Sequence, residues 1–456
     1  MVDVLMINPR LSNQQRRYQP QMPLGMLLIA ARLEESKFTV SFIDMEFSAN
    51  VESTIRNEWP RIVMIGGCTA NRFISFDLAR LVKSISKDMV TVYGGVHATL
   101  AWKDTIESVP EIDVLVCGEG EEVSCEIVNT PKYLMPPLID APRIENLDYL
   151  PFPARHLLNI EKYKMKMDFL DEPGLHIITS RGCPFNCVFC SAAKLRNKRI
   201  ARSAFNVVDE IEYIIDKYNV HAIKFYDSLM TPKHATEISK ELLSRNVKIK
   251  WECEVRADMI DLETLKLMKE AGCYYIDVGA ESANQEILDR ARKGIRIDDV
   301  RKVIGWAKQI GLRLKLFFII GLPGETKETA KQTFSFIGEH NNIVDKIDQP
   351  VPLMVFPGTK VESIARQNSS LPQDFSWSTP FHERGIFELM GYDTIPLFIQ
   401  PTFGIREYRM FKYAIPRYRS ARFIIKRIKS IRSLADIKFL LNEAKKLIKW
   451  KLKYAA

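Results

Sequence analysis

Short runs rich in β-branched and aromatic residues alternate with amphipathic helical patterns along most of this chain, in two separate sets. In residues 1–127 the sequence reads "VDVLMINP", "PLGMLLIAARLEESK", "FTVSFIDME", "RIVMIGG", "SFDLARLVKSIS", "DMVTVYGG" and "IDVLVCGEG". Strands joined through helices return parallel to one another, so this alternation calls for a doubly wound α/β sheet, here of five strands. Such sheets take ligands beyond the carboxyl ends of their strands. At those ends stand Gly66-Gly67, with Thr69 close behind, then Gly94-Gly95 and Gly118-Glu119-Gly120. Two readings are open for these glycines: close approach of a ligand to bare backbone, or the shaping of strand-to-helix turns.

The second set runs through "LHIITS", "HAIKFYD", "IKWECEV", "YYIDVGA", "LRLKLFFII" and "PVPLMVF", with helical patterns such as "VVDEIEYIIDKY" and "DDVRKVIGWAKQIG" between them. Six βα units of similar size make a barrel or part of one, with chemistry expected at the carboxyl ends of its strands. Residues 128–172, with Pro131, Pro136, Pro137, Pro142, Pro151 and Pro153 and little periodicity, read as a linker. The chain thus divides into a first domain at 1–127, a linker at 128–172, a barrel at 173–360 and a carboxyl-terminal region at 361–456.

Three of the eight cysteines fall in "TSRGCPFNCVFCSAA", residues 179–193, directly after the first strand of the second set. No basic-then-apolar leader opens the sequence and no run of about 18 apolar residues interrupts it, so a cytoplasmic location is expected. Thiols stay reduced there, and clustered ones point to metal or catalysis before disulfides. The other five, Cys68, Cys117, Cys125, Cys253 and Cys273, are scattered, and most of them read as small buried hydrophobes. Structural zinc closes with four ligands, and no second Cys or His pair follows at suitable spacing. Three thiolates suit an iron-sulfur cluster that leaves one iron open. Reduced loop thiols and an incomplete zinc site are the competing readings.

A C-x3-C-x2-C loop after the first strand of a βα barrel resembles the signature of the radical S-adenosylmethionine (SAM) enzymes. The resemblance implies a partial (β/α)6 TIM-like barrel in which Cys183, Cys187 and Cys190 hold a [4Fe-4S] cluster and are the catalytic and metal-binding residues. Phe189 resembles the aromatic near the SAM adenine. Asp227, in "FYDSLM", resembles the group that contacts the methionine amino nitrogen. Arg256, in "EVRAD", stands where related enzymes direct a positive charge at the SAM carboxylate, and Glu281 with Ser282, in "GAES", where they meet the ribose. Gly321, in "FFIIGLPGET", matches the fifth-strand segment that packs on the adenine, although Phe317 occupies a place that is often glycine. The competing readings are a strand-end salt bridge for Arg256 and a helix-cap acceptor for Glu281.

That family cleaves the SAM sulfonium with one electron and uses the 5'-deoxyadenosyl radical on an unactivated carbon. An electron donor such as ferredoxin or flavodoxin is implied. The segments "PLGMLLIAARLEESKFTVSFIDME", "YGGVHATL", "DVLVCGEGEE" and "LDYLPFPARHLL" resemble the flavodoxin-like cobalamin-binding domain that precedes many such barrels, together with its junction. The D-x-H-x-x-G loop that supplies a histidine to cobalt is absent, since the first strand runs into "NPRLSNQQRRYQP". Cobalamin is therefore implied without a histidine ligand. Gly94 and Gly95 come first for backbone approach to it, and Gly66, Gly67 and Thr69 second.

From Pro416 to Ala456 thirteen Lys or Arg stand against two acids, an excess larger than the whole chain's net +9. Apolar residues at 424, 428, 431, 434, 437, 441, 444, 448 and 452 make this a helical basic tail with an amphipathic pattern. Three readings compete: packing on the barrel, peripheral association with an anionic membrane through Trp450 and Phe439, or contact with RNA phosphates. No DNA-reading module is recognisable, and no nucleic-acid partner is expected. Analogy with relatives that act on membrane lipids suggests a hydrophobic lipid substrate, with a small molecule or natural-product precursor as the alternative. The segment 373–415, with Phe375, Trp377, Phe381, Phe387, Phe398 and Phe403, suits either an apolar substrate site or a cap on the barrel. Methylthiolation is disfavoured because Cys68, Cys117 and Cys125 do not follow that family's pattern. A cobalamin or metal sensor is the non-enzymatic alternative.

Overall fold

In the computed structural model the first set of apolar runs folds as β1 (Val4–Asn8), β2 (Val40–Asp44), β3 (Ile62–Ile65), β4 (Val90–Gly94) and β5 (Val114–Cys117). A sixth strand, β6 (Leu138–Asp140), comes from the proline-rich segment expected as a linker. Pro136 and Pro137 sit just ahead of it, where a missing N–H removes no ladder bond, and the Pro137 carbonyl accepts from Leu115 N at 2.9 Å. All six strands are parallel, in the order β2-β1-β3-β4-β5-β6. The order reverses between β1 and β3, which makes the carboxyl ends there the switch point at which such folds take ligands.

Period-two alternation covers both faces of this sheet. Leu5, Ile7, Val63, Ile65, Tyr93 and Leu115 pack with Phe76, Ala79 and Val82 of the helix Arg72–Ile85. Val4, Met6, Ile62, Met64, Val92 and Val116 pack on the other face with Ala30, Ala31 and Leu33 of Leu24–Glu35 and with Val123 and Ile127 of Gly120–Asn129. Each fully buried side chain of this size contributes about 1.5–3 kcal/mol.

The structure describes residues 2–11, 20–48, 50–195, 198–348, 350–380 and 395–411, in two units: Met1–Cys253 with Met354–Leu397, and Glu254–Leu353 with Phe398–Ala456. The basic tail, Phe381 and Phe387 lie outside the described residues. Beyond the six-stranded sheet, the first unit holds β7 (Met165–Lys166), β8 (Pro173–Ile177), β9 (Ser180–Arg181), β10 (Ile200–Ala201), β11 (Ala222–Phe225) and the first four residues of β12 (Lys250–Val255). Here β8, β11 and β12 pair in parallel, Ile223 standing opposite both Leu175 and Trp251. One face carries Leu175, Ile177, Ile223, Phe225 and Trp251, all buried; the other carries a row of His176, Lys224 and Glu252. Crossover helices Ala204–Tyr218 and Pro232–Ser244 begin at capping side chains of Ser203 and Thr231, the second with proline at its first turn.

The second unit holds β13 (Cys273–Glu281), β14 (Arg313–Ile320), β15 (Lys346–Ile347) and β16 (Val351–Pro352), parallel, with β14 flanked by β13 and by β15 and β16 in turn. The helix Leu262–Glu270 leads into β13, Ile297–Ile310 connects β13 to β14, and Lys327–His340 connects β14 to β15. The second set of units is thus the strand–helix alternation of a partial βα barrel.

Candidate active site

The cysteine loop leaves β9 and returns on β10, whose antiparallel pairing closes its base. Gly182 opens it at φ +85°, a left-handed conformation that favours glycine. Cys183 and Cys190 are half-buried, Cys187 is buried, and none of the eight cysteines forms a disulfide. Cys190 N donates to the Cys187 carbonyl at 3.2 Å, and the Val188 carbonyl accepts from Val361 N at 3.1 Å, which ties the loop to the start of the helix Lys360–Gln367. Phe189 is half-buried between Val188 and Cys190. Among the described residues no three His, Cys, Asp or Glu side chains converge as ligands of one ion. A cubane cluster asks for something different, because each thiolate binds a separate iron corner.

Asp227 fastens the root of this loop. Its Oδ1 accepts from Thr179 N at 2.7 Å and Ser180 N at 3.0 Å; its Oδ2 accepts from Ser180 Oγ at 2.8 Å and from Thr179 Oγ1. The carboxyl is fully enclosed, and burial raises its pKa although four donors act the other way. Nearby, Arg199 Nη2 lies 2.7 Å from His234 Nδ1, and burial followed by the Arg199 charge lowers that imidazole to about 4.

At the carboxyl end of the six-stranded sheet the glycine loops press on their surroundings. A Cβ on Gly67 would stand 2.6 Å from Tyr93 Oη, and one on Gly95, at φ +105°, 2.6 Å from the Gly67 carbonyl. A Cβ on Gly66 would meet Met26 Sδ at 2.4 Å, whereas Gly94 has ordinary space around it. Thr69 is buried: its carbonyl accepts from Arg72 Nη1 at 2.6 Å and its Oγ1 lies 3.3 Å from His97 Nδ1. Arg72, fully buried, also donates through Nε to the Trp377 carbonyl and stacks over Phe73 at 4.0 Å. Arg72 Nη2 and His97 Nε2 have no partner among the described residues. Burial, then the Arg72 charge, depresses His97 to about 3, so it is a neutral imidazole. Orphaned donors beside glycine turns fit a cofactor that brings hydrogen-bond acceptors to these strand ends.

The second unit carries the other predicted residues. Arg256 is bidentate to Asp258, with both contacts at 3.0 Å, and its Nη2 donates to the Lys293 carbonyl at 2.7 Å. Glu281 sits at a bulge of β13 with φ +59°, a conformation that costs a non-glycine residue about 1–3 kcal/mol. Lys293 Nζ meets its Oε1 at 2.7 Å, with both side chains nearly buried. Ser282 is buried, its Oγ 3.3 Å from Thr333 Oγ1. Gly321, at φ +87°, turns the chain after β14; its carbonyl and that of Leu322 accept from Gln400 Nε2 at 3.3 and 2.8 Å. Glu325 Oε2 accepts from Gly321 N and from Leu322 N at 3.2 Å.

Lys293, Glu325, Gln400, Arg72 and His97 were not singled out from the sequence. "GLPGET" placed Glu325 three to four residues after the turn it clasps, which was a usable signal. Burial lifts the Glu325 carboxyl to about 7 from an ordinary 4.5. The folded chain therefore binds that proton more tightly than the unfolded one. The associated stability is full below about pH 4.5 and is lost as pH rises through about 7, about 3 kcal/mol in all. Because the depressed imidazoles of His97 and His234 add stability as pH rises over part of the same range, the effect is read as a difference: the slope of thermal midpoint against pH between pH 5 and pH 8 is expected to be more positive in Glu325→Gln, neutral throughout, than in the wild type. An unchanged slope in the variant refutes the assignment.

The Radical SAM superfamily profile matches residues 177–337, and the B12 binding domain profile matches residues 16–128. An uncharacterized methyltransferase of Pyrococcus horikoshii is 31% identical over 376 residues, covering 76% of this chain and 79% of the relative. The anaerobic magnesium-protoporphyrin IX monomethyl ester cyclase of Rubrivivax gelatinosus is 29% identical over 70% of this chain and 62% of its own length. Among solved structures, the radical SAM methyltransferase TsrM of Kitasatospora setae, with tryptophan and a SAM analogue bound, superposes with a TM-score of 0.70 at 17% identity, over 92% of this chain and 89% of that one. At that identity the likeness is one of fold.

Proposed function

The chain belongs to the radical SAM superfamily and carries a B12-binding domain ahead of its barrel, and from that we propose that it transfers a methyl group to an unactivated carbon of its substrate. The observation that carries the reading is the presence, in one compact unit, of a C-x3-C-x2-C loop fastened by Asp227 and of a glycine-turned cradle with orphaned Arg72 and His97 donors. Cys183, Cys187 and Cys190 would hold a [4Fe-4S] cluster; Gly66, Gly67, Thr69, Gly94 and Gly95, with Arg72 and His97, would hold cobalamin. When bound, these groups supply the electron that cleaves SAM and a carrier for the methyl. Of the residues in the second unit, and by the family resemblance, Arg256 would meet the SAM carboxylate, Glu281 and Ser282 the ribose hydroxyls, and Gly321 the adenine. His97, neutral at physiological pH, offers hydrogen bonds without charge.

For the substrate, the row of His176, Lys224 and Glu252 supports a small molecule with polar groups. Lys224 Nζ lies 2.8 Å from Glu252 Oε1, and Tyr226, half exposed just past the end of β11, donates to Gln21 Oε1 at 2.8 Å. The membrane-lipid reading rests on the basic tail and stands second; among the described residues no helix is long and apolar enough to cross a membrane.

The test is anaerobic reconstitution with iron, sulfide and hydroxocobalamin, then dithionite and SAM, with a polar-metabolite extract and a total-lipid extract added separately. The expected result is 5'-deoxyadenosine and a polar species heavier by one methylene. A methylene gained only among lipids transfers the substrate to the membrane, hydrogens lost without a methylene mark ring formation, and absence of 5'-deoxyadenosine overturns the enzyme reading.

A further inference from the structure

Arg181 lies in β9, two residues ahead of Cys183, and its guanidinium reaches the loop that follows β5 in the amino-terminal sheet. Nη1 meets Glu119 Oε2 at 3.2 Å and Nη2 meets Glu121 Oε1 at 2.5 Å, with the three side chains 8%, 3% and 4% exposed. Glu119 stands between Gly118, at φ +90°, and Gly120, and its Oε2 also accepts from Ile144 N at 3.0 Å. Glu121 belongs to the first turn of the helix Gly120–Asn129. The neighbouring carboxylates keep the guanidinium charged against its burial.

A buried ion cluster of this kind is weak evidence for stability, because desolvation offsets most of the attraction. What it does enforce is geometry, since a shear between its partners breaks charged hydrogen bonds where no water can replace them. The two partners are the root of the thiol loop and one of the strand-end loops on the side where the glycine cradle lies. We propose that Arg181 is a positioning residue that registers the cysteine loop against the amino-terminal sheet, so that loading the cluster favours binding of the corrinoid and the reverse. The inference rests on the proposed function.

Hydroxocobalamin affinity, read from its visible spectrum in equilibrium dialysis, is measured for cluster-free and cluster-reconstituted full-length protein. Coupling is reciprocal, and the wild type is expected to bind about tenfold tighter when the cluster is loaded. Arg181→Met alone strands two buried carboxylates and is expected to fold poorly, so the informative variant combines it with Glu119→Gln and Glu121→Gln. In that neutral variant the ratio is expected to fall to about one with cluster-free affinity unchanged. Arg181→Lys, which keeps the charge but not the two-armed fork, is expected to fold and to give a reduced ratio. A ratio of about one in the wild type, or a wild-type ratio in either variant, overturns the inference. No hydroxocobalamin binding by the wild type in either state overturns the proposed function and the inference with it.

Discussion

Replacing any one of Cys183, Cys187 or Cys190 by alanine is expected to lower 5'-deoxyadenosine formation by about a thousandfold or more while leaving the fold intact. The thiols would each occupy one iron corner, and groups that act as a unit fail together, so a triple variant is expected to cost no more than a single one. The fold survives because the loop is held by contacts that do not use sulfur. Val361 N donates to the Val188 carbonyl, Cys190 N to the Cys187 carbonyl, and the pairing of β9 with β10 closes the base. Cys125→Ala, in the partly buried surface of the helix Gly120–Asn129, is the matched control and is expected to keep full activity. Iron content, the brown cluster absorbance and the 5'-deoxyadenosine yield are to be measured anaerobically beside the thermal midpoint. A Cys187→Ala protein that keeps wild-type iron and turnover removes the cluster from these three residues.

The parts that were legible in the sequence are those written locally. Alternation of Val4, Leu5, Met6 and Ile7 between two buried faces follows from a period of two, and the glycine turns and the spacing of the three cysteines are short-range patterns. Contacts between distant residues were not legible. Arg181 meets Glu121 across 60 positions and Arg72 meets Trp377 across 305, and nothing in either neighbourhood specifies the partner. Lys293 is one of many basic residues in "DRARKGIR", and only the bulge that turns Glu281 to φ +59° selects it. The sixth strand was hidden for a related reason: three residues behind two prolines carry too little periodicity to register, yet suffice to pair with β5. The row of His176, Lys224 and Glu252 was visible only after register placed three strands side by side.

Asp227→Ala is expected to cost about 3–5 kcal/mol of stability and to leave most of the protein without a cluster, whereas Asp227→Asn keeps much of both. The difference follows from the four donors. Alanine strands two buried amides and two hydroxyls, all within four residues of Cys183. In the asparagine variant Oδ1 still accepts from Thr179 N and Ser180 N, and the hydroxyls of Thr179 and Ser180 can rotate to accept from the new amide. If the residue acts by fastening the loop, asparagine should therefore load nearly the wild-type amount of cluster and retain SAM cleavage within about tenfold. A carboxylate that must pair with the ammonium group of SAM behaves otherwise: the asparagine variant would load its cluster and yet lose SAM affinity by one hundredfold or more, since a charged contact becomes a neutral one in a dry site. Cluster loading and SAM binding, measured separately on the same two variants, thus divide the two roles. The geometry, with both carboxylate oxygens already occupied, predicts that loading and not SAM affinity is what alanine destroys.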